Sequence, residues 1–425
     1  MNSFVQWLKG STRNFLGLVA NTFLKLLLCL LRSTAAHILS SLPRQESIPP
    51  LQSSLNRQLT NQKMAENPIR FGIMGCAKIA RKLARAILLA PNSTLYAIAS
   101  RSLEKAELFA TENELPKTIK IYGSYQELLD DPSIDVVYMP LPSSLHLHWA
   151  VLAAQKKKHL LLEKPPALDV VELDKILEAC ESNGVQFMDG SMWVHHPRTA
   201  KMKELLSDPK QIGQLEFLHS TSTISPPPEF FKDDIRVKPD MDTLGALGDL
   251  GWYCIGSVLW AKNYRLPNLV TALPGVVKNA AGIILQFSAS LHYDEPDLLK
   301  TVAIIHCSFL SHSSMDLKMI GSSGSIHLMD FIIPFQEDSA SFNFTWLPKF
   351  VDLHIGWNAK PEKVVVANEL PQEVLMVQEL ARLAEDKKKS VACPDKKWPQ
   401  ISRKTQIVLD AVKKSIDLGC EPVYL

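Results

Sequence analysis

Two separated motifs contain residues whose types and spacing could do chemistry. One motif, residues 69–80, reads as a short buried strand, a tight turn and the start of a helix. Such a turn places backbone N–H groups and a helix N-terminus against a pyrophosphate. The other motif, Glu163-Lys164-Pro165, ends a later apolar run, and ligands of open α/β sheets bind at the ends of such strands. A dinucleotide cradle with a lysine at its edge indicates hydride-transfer chemistry.

Lys164 could stabilise the charge that this chemistry creates. Oxidation of a secondary alcohol removes a proton from oxygen while hydride leaves carbon, so negative charge develops on oxygen and needs a donor or a cation. Pro165 and Pro166 follow Lys164 and restrict its backbone to extended geometry, which could point the ammonium at that oxygen. The alternative is a surface lysine paired with Glu163.

A second cluster of polar residues lies in the glycine-rich segment 245–253. Asp249 and Tyr253 are spaced so that they share one face of a helix. A phenol has an ordinary pKa of about 10, which is too high for an efficient base at neutral pH. A neighbouring ammonium such as Lys164 favours phenolate, so we predict a lowered pKa for Tyr253. The alternative is an interfacial tyrosine with a capping aspartate.

The phosphate turn departs from the usual G-x-G-x-x-G/A pattern, because Ala77 replaces its second glycine. Its position between a strand and a helix still predicts a dinucleotide site, with a plain strand–turn–helix as the alternative. We interpret Cys76 as a small buried filler rather than a redox-sensitive thiol. The residues predicted to form the turn are Gly72, Gly75, Cys76, Ala77, Lys78, Ile79 and Ala80.

The choice between NADP and NAD depends on the end of the next strand. An NAD-selective site usually carries Asp or Glu there to hold the ribose 2′-hydroxyl. This chain has Ser100 and Arg101 instead, and the arginine fork matches a 2′-phosphate. The sequence therefore predicts NADP, with NAD less favoured. The alternative is an exposed arginine in an ordinary strand–helix turn.

Five segments in this order resemble the Gfo/Idh/MocA oxidoreductases, whose namesakes include glucose-fructose oxidoreductase and inositol dehydrogenase. Within that family the chain is most similar to the dimeric dihydrodiol dehydrogenases and NADP-dependent D-xylose dehydrogenases, and above all to their plant members. The resemblance runs from about Pro68 to the C-terminus. The segments are residues 72–80, 140–146 and 163–165, Met192-Trp193 with Pro197-Arg198, and residues 245–253.

The resemblance implies roles for individual residues. Tyr253 is expected to donate and accept the proton, Lys164 to assist it, and Asp249 to lie at the substrate. The segment 140–146 is expected to border the nicotinamide, which places a further set of residues at the cofactor. This set consists of Pro140, Pro142, His146 and Glu163, with Lys164 shared between cofactor and substrate. For His146, a helix-start histidine with a backbone partner is the alternative.

A substrate pocket wall is predicted at the junction between two domains. Trp193, His196 and Arg198 are its candidates, with His195 beside them. For Arg198, an ion pair between the domains is an equal alternative. No third ligand accompanies the two adjacent histidines, so we predict no metal site.

The surrounding elements predict an α/β fold with two domains. Up to residue 191, short apolar runs alternate with helical patterns, which predicts a doubly wound parallel Rossmann sheet over residues 67–191. Beyond it, alternating strands cluster without helices between them, which predicts a C-terminal α+β domain over residues 192–425 with a large, mainly antiparallel sheet. The resemblance implies that this sheet is open-faced and joins two copies into a homodimer.

Composition excludes several classes of partner. The 425 residues carry a net charge of only +2, so nothing indicates nucleic acid or another strongly charged partner. The seven cysteines are odd in number and contain no C-x-x-C pair, which argues against a disulfide framework or a zinc site. The predicted core therefore suits a reducing compartment.

The N-terminal extension, residues 1–66, has a different composition. Only Glu46 is acidic before Met64, and Lys25 interrupts a mostly apolar stretch over residues 15–31. One interpretation is a chloroplast or mitochondrial transit peptide, because such peptides are rich in arginine and serine and poor in acids. A membrane signal anchor is the second. The third is an upstream extension of the gene model, with a cytoplasmic protein beginning at Met64.

These observations together predict an oxidoreductase. We expect it to transfer hydride between NADP and a CH–OH or C=O group of a small sugar, polyol or cyclic diol. Two alternatives stay open. One is a nucleotide-binding regulator without turnover, and the other is an elimination or glycoside cleavage that runs through an internal redox cycle.

Overall fold

The computed structural model describes residues 65–294, 300–346, 361–389 and 393–425. The predictions for the N-terminal extension, including its apolar stretch, fall outside these ranges. Among the helices within them, none combines the length and the apolar character that a membrane crossing needs.

The first sheet is built from parallel strands that helices connect. The strands are β1 Ile69–Met74, β2 Ser93–Ala99, β3 Lys120–Tyr122, β4 Val136–Met139, β5 His159–Leu162 and β6 Phe187–Asp189. The helices are α1 Ala80–Leu89, α2 Leu103–Glu112, α3 Tyr125–Asp130, α4 His146–Gln155 and α5 Val170–Asn183. The strand order is β3-β2-β1-β4-β5-β6, and it reverses between β1 and β4, where sheets of this kind bind ligands. The predicted Rossmann sheet is confirmed.

The strands of this sheet are continuous apolar runs because helices cover both of its faces. Successive side chains of a strand point to opposite faces. Val136 and Tyr138 of β4 accordingly pack into one buried cluster, and Val137 and Met139 into another. Burial on both faces holds β4 in position, and this also positions the start of the loop that follows β4.

Gly72 lies inside β1 and is not part of the phosphate turn, so this prediction is wrong. A Cβ at Gly72 would lie 3.1 Å from Cδ1 of Ile134 and 3.2 Å from Cδ2 of Leu128. The glycine therefore lets the α3 region pack closely on the strand.

The second sheet follows residue 191 and is mainly antiparallel, as predicted. Its strands are β7 Leu215–Thr223, β8 Leu269–Ala272, β9 Val277–Lys278, β10 Ile284–Tyr293, β11 Thr301–Ser308, β12 Ser314–Gly321, β13 Gly324–Leu328, β14 Ser339–Trp346, β15 Glu362–Ala367 and β16 Val423–Tyr424. The order is β15-β14-β13-β12-β7-β11-β10-β8-β16, with β9 beside β10. The neighbours β7 and β11 are parallel to each other. The helices α6 Pro197–Leu206, α7 Phe230–Asp233 and α8 Trp252–Ala261 belong to the same part of the chain.

Two closing helices, α9 Gln372–Lys389 and α10 Lys397–Asp417, pack back on the first sheet. The Asn92 side chain, just before β2, donates to the carbonyl of Gln378 in α9 at 3.0 Å. The N–H of Val170, at the start of α5, donates to the Asp410 carboxylate in α10 at 2.8 Å. Because α10 also packs on α8 and β8, it holds the carboxyl edge of the first sheet against the second.

Candidate active site

The turn between β1 and α1 has the shape of a phosphate cradle. Gly75 adopts φ +121°, and a Cβ there would lie 2.9 Å from Cδ2 of Leu141, so only glycine fits. Its N–H donates to the carbonyl of Ala99 at 2.9 Å, which ties the turn to β2. Lys78 and Ile79 are exposed beyond it, and the first turn of α1 contains no acidic residue. A negatively charged ligand therefore meets the helix N-terminus without repulsion.

Cys76 is half-buried in this turn, and its Sγ lies 3.9 Å from the carbonyl of Ala99. Burial raises the pKa of the thiol to about 11. The thiolate is the reactive form of cysteine, so the raised pKa disfavours reaction of this side chain at neutral pH. Its environment agrees with the interpretation as a filler.

Ser100 and Arg101 lie beside the turn, directly after β2. Ser100 is buried, and its N–H donates to the carbonyl of Tyr122 at 3.2 Å. Arg101 is exposed and interacts with Tyr125. The guanidinium is thus accessible at the strand end where a dinucleotide places its ribose.

Replacing Arg101 with aspartate is expected to weaken NADPH binding by about 10- to 100-fold, because a charge-assisted contact to the 2′-phosphate is lost and repulsion replaces it. NADH binding should change less than about threefold, because NADH has no 2′-phosphate and therefore forms no such bond with Arg101. Fluorescence titration of both nucleotides measures the two affinities. Lys117→Asp makes the same charge change at an exposed loop residue and should leave both affinities unaltered. Equal losses for NADPH and NADH would remove the NADP assignment.

Lys164 follows β5 and points at Asp249. Its Nζ lies 2.6 Å from Oδ1 of Asp249 and donates to the Asp249 carbonyl at 2.9 Å. The side chains of Lys164 and Asp249 are only 11% and 13% exposed. The alternative of a surface lysine paired with Glu163 is therefore wrong, since Lys164 is buried and the segment before α8 supplies its partner.

Asp249 is held between two cations. It lies in a π-helical turn, Leu247–Gly251, that leads into α8, and its Oδ2 is 3.0 Å from Nε of Arg236. Burial opposes ionisation of the carboxyl, but Lys164 and Arg236 outweigh it and hold the pKa of Asp249 well below its usual range. The carboxylate is thus charged throughout the neutral range. Arg236 was not predicted from the sequence, because no motif or regular spacing relates it to Asp249.

Tyr253 completes the cluster from the first turn of α8, with the Lys164 ammonium 4.7 Å from its ring centroid. Its hydroxyl contacts Sδ of Met192 at 3.7 Å. The prediction of a lowered pKa is wrong, because burial and the carboxylates of Glu163 and Asp249 raise the pKa of Tyr253 well above its ordinary value. Lys164 faces the ring and not the hydroxyl, and Asp249 compensates its charge. The three predicted side chains are nevertheless brought together.

Glu163 anchors the strand end that carries Lys164. The hydroxyl of Tyr138, in β4, donates to its Oε1 at 2.6 Å, and the backbone N–H of Lys164 donates to its Oε2 at 3.2 Å. Burial raises the pKa of Glu163, and the bond from Tyr138 offsets part of that rise. Tyr138 is a second residue that the sequence did not reveal, since it reads as part of an apolar strand.

The loop after β4 contains Pro140, Pro142 and His146, the last of which begins α4. His146 is 1% exposed, and its ring nitrogens lie 2.9 Å from the carbonyl of Leu141 and 3.2 Å from that of Pro166. Burial lowers its pKa to about 4, so the imidazole is neutral and donates to one of these carbonyls. The backbone-partner alternative fits these contacts, and the place of His146 beside the cofactor stays a prediction. The His146 ring thus links the loop after β4, which contains Leu141, to the loop after β5, which contains Pro166.

The predicted pocket wall is part of the core. Trp193 is buried edge-on to Trp260, with ring centroids 5.8 Å apart, and His195 stacks on Trp398 at 4.6 Å. His196 is buried, and its Nδ1 accepts the N–H of Arg198 at the start of α6. Trp193 and His196 are thus buried at and after the short helical turn Met192–His195, and their place in a substrate pocket stays a prediction.

Arg198 also belongs to the core and not to the pocket wall. It is 1% exposed, its Nη1 lies 2.5 Å from Oδ1 of Asp330, and its Nη2 donates to the Asp330 carbonyl at 2.9 Å. The alternative of an ion pair is correct in that Arg198 pairs with a carboxylate. The partner lies within residues 192–425, so the pair does not join the two predicted domains.

The loop over residues 224–245 crosses to the first sheet and delivers Arg236. Oγ of Ser143 donates to Oδ1 of Asp242 at 2.7 Å, and the N–H of Ser144 donates to the carbonyl of Met241 at 3.2 Å. Burial, reinforced by the nearby Asp249 charge, raises the pKa of Asp242. These two bonds tie the loop to the segment that follows β4.

No group of three histidine, cysteine or acidic side chains in the described ranges could hold a metal ion. The cluster that the structure assembles is an ammonium, a guanidinium, a carboxylate and a phenol. Such a set can stabilise negative charge on an oxygen and exchange a proton with it.

Comparisons with known proteins concern the family and the fold of the chain. Residues 69–191 match the Gfo/Idh/MocA family, described as an oxidoreductase family with an NAD-binding Rossmann fold. The D-xylose 1-dehydrogenase (NADP(+)) 2 of Haloferax volcanii is 35% identical over 187 residues, which cover 44% of this chain and 55% of that enzyme. The dTDP-3,4-didehydro-2,6-dideoxy-alpha-D-glucose 3-reductase of Saccharopolyspora spinosa is 30% identical over 261 residues, which cover 61% of this chain and 74% of that enzyme.

A solved structure shares the fold. The 3-ketoreductase from Actinomadura kijaniata, in complex with NADP and TDP-benzene, superposes with a TM-score of 0.69 over 82% of this chain and 98% of its own. At 24% identity this likeness concerns the fold alone. The chain spans about half the length of several curated relatives that it matches. The longer alignment with the Saccharopolyspora reductase and the match of the first sheet show that the chain belongs to the Gfo/Idh/MocA family of oxidoreductases.

Proposed function

We propose that this protein is an NADP-dependent oxidoreductase that interconverts a CH–OH and a C=O group of a small sugar, polyol or cyclic diol. The observation that carries the proposal is the contact of Lys164 with both Asp249 and Tyr253 at the carboxyl edge of the first sheet. The names of relatives support it, since one is an NADP-dependent xylose dehydrogenase and another reduces a keto sugar.

The residues of the phosphate turn fit a dinucleotide. Gly75 leaves a cradle that a Cβ would fill, and Ile79 is an exposed apolar side chain beside it. Arg101 is the accessible cation for the 2′-phosphate. When bound, the nicotinamide accepts or donates the hydride.

Lys164, Asp249 and Tyr253 would handle the charge and the proton at the substrate oxygen. In the direction of carbonyl reduction, the phenol of Tyr253 gives its proton to the oxygen as charge develops there. The Lys164 ammonium stabilises that charge, and Asp249 holds the ammonium in place. In the direction of oxidation, the substrate hydroxyl gives its proton to the phenolate of Tyr253.

The raised pKa of Tyr253 predicts opposite pH dependences for the two directions. The group is protonated below its pKa, so reduction should be constant from about pH 6 to 9 and fall at higher pH. Oxidation needs the phenolate, so its kcat should rise about tenfold per pH unit over the same range. Initial rates in both directions, measured across this range, check the prediction. An oxidation rate that levels off near neutral pH would contradict it.

The direct test uses the full chain. NADPH and NADH are titrated by fluorescence, and pentoses, hexoses, polyols and cyclic diols are screened for absorbance change of the nicotinamide. Tight NADPH binding with turnover supports the proposal and identifies the substrate class. Binding without turnover favours a regulator, and product without net cofactor change favours the internal redox cycle. Absence of nucleotide binding refutes the proposal.

We also propose that the second sheet joins two copies. Phe217 and Val302 are register partners on its outer face, and Phe217 is 36% exposed. An apolar strip on an open sheet is suited to a symmetric interface. Light scattering of the full chain should give twice the monomer mass, and a monomer would refute this arrangement.

A further inference from the structure

Arg236 has a donor group that none of the described hydrogen bonds uses. Its Nε lies 3.0 Å from Asp249 and its Nη1 3.1 Å from Asp234, whereas no described hydrogen bond or ion pair involves Nη2. The Arg236 side chain is 37% exposed, compared with 11% for Lys164. The guanidinium therefore lies at the more exposed end of the Lys164–Asp249 pair, and its Nη2 has no partner among the described residues.

The charges around Arg236 favour a neutral ligand. The two cations Lys164 and Arg236 are paired with the two carboxylates of Asp249 and Asp234. A phosphate ester would find no excess positive charge here, whereas hydroxyl groups require only donors and acceptors.

We propose that Arg236 is a specificity-determining residue, whose Nη2 donates to the hydroxyl beside the reacting carbon of a neutral vicinal diol or sugar. The proposal rests on the function proposed above. It goes further because it names the group that forms a hydrogen bond with the second hydroxyl of the substrate. A single carboxylate, Asp249, binds the ammonium at one oxygen and the guanidinium at the other. The two donors are thus fixed relative to each other, so that adjacent oxygens of one substrate can meet one donor each.

Substrates that differ only in the second hydroxyl test the proposal. Suitable pairs are trans-1,2-cyclohexanediol with cyclohexanol, and D-glucose with 2-deoxy-D-glucose. The wild-type kcat/KM should favour the diol or full sugar by about 10- to 100-fold, the range expected for a hydrogen bond from a charged donor. In Arg236→Gln this preference should fall to about threefold or less, because a neutral amide donates a weaker bond.

The preference is a ratio on one preparation, so partial misfolding of a variant does not affect it. Arg236→Lys keeps the charge and should retain an intermediate preference. Lys232→Gln removes an exposed charge from the same loop and should keep the full preference. A uniform loss on both substrates in Arg236→Gln, with an unchanged ratio, would overturn the proposal and leave Arg236 as a support for Asp249.

A binding measurement separates this proposal from the proposed reaction. Dissociation constants of the same compounds on the NADPH complex are read from NADPH fluorescence and need no turnover. If the second hydroxyl strengthens binding only in the presence of Arg236 but no compound is converted, the specificity role stands and the dehydrogenase proposal fails. If compounds are converted but Arg236→Gln does not change the preference, the dehydrogenase proposal stands and the specificity role of Arg236 fails. If none of the four compounds binds or reacts, both proposals fail.

Discussion

Replacing Lys164 with methionine is expected to lower kcat about a thousandfold, because the charge that develops on the substrate oxygen loses its cation in a water-poor site. The ammonium is the group that contacts both Asp249 and the Tyr253 ring. The fold should persist, since Arg236 still pairs with Asp249. Steady-state kinetics in both directions give the effect, and circular dichroism reports the fold.

Two variants control for the Lys164 result. Lys164→Arg keeps the positive charge and should lose less activity, although the planar fork cannot reproduce an ammonium geometry. Lys175→Met makes the same change at an exposed residue of α5 and should behave like the wild type. A Lys164→Met enzyme with kcat within about threefold of the wild type would exclude Lys164 from charge stabilisation.

Replacing Tyr253 with phenylalanine is expected to lower kcat about 100- to 1,000-fold while KM changes little, because a positioned acid contributes through the transition state. The hydroxyl makes only a weak contact with Met192, so its loss costs little packing. The alkaline rise of the oxidation rate should disappear with it. NADPH affinity should be retained, which fluorescence titration measures.

The matched control for this change is Tyr293→Phe. Tyr293 is buried in β10, and its hydroxyl has no hydrogen-bond partner. Loss of that hydroxyl should leave turnover and its pH dependence unaltered. Unchanged turnover in Tyr253→Phe would refute its role as the proton donor and would return it to the interpretation of an interfacial tyrosine.

Local patterns predicted much of the fold and the family. The run of β1, turn and α1 could be recognised because strand burial, a glycine turn and a helix start all depend on neighbouring residues. The apolar run before Glu163 is β5 because its side chains are buried on both faces, and periodicity reports such burial. The parallel neighbours β7 and β11 could not be predicted, since they are far apart in the chain and their pairing depends on the whole sheet.

Three of the predicted site residues are buried in the core for a shared physical reason. His146, Trp193 and Arg198 have chemically versatile side chains, and each follows a strand of the first sheet in sequence. Their direction depends on a short helical turn, a buried carbonyl or a distant aspartate, none of which leaves a local pattern. Arg198 is the clearest case, since Asp330 neutralises it from a separate segment.

The sequence by itself determined the elements, the glycine turn after β1 and the identity of the three side chains that we propose for the chemistry. The tertiary structure decided their electrostatics. It placed Asp249 between Lys164 and Arg236, and so neutralised the ammonium that was expected to acidify Tyr253. Charge interactions depend on distance and burial and not on spacing along the chain. The raised pKa of Tyr253 and the contact of Arg236 with Asp249 therefore emerge only when segments far apart in the chain pack together.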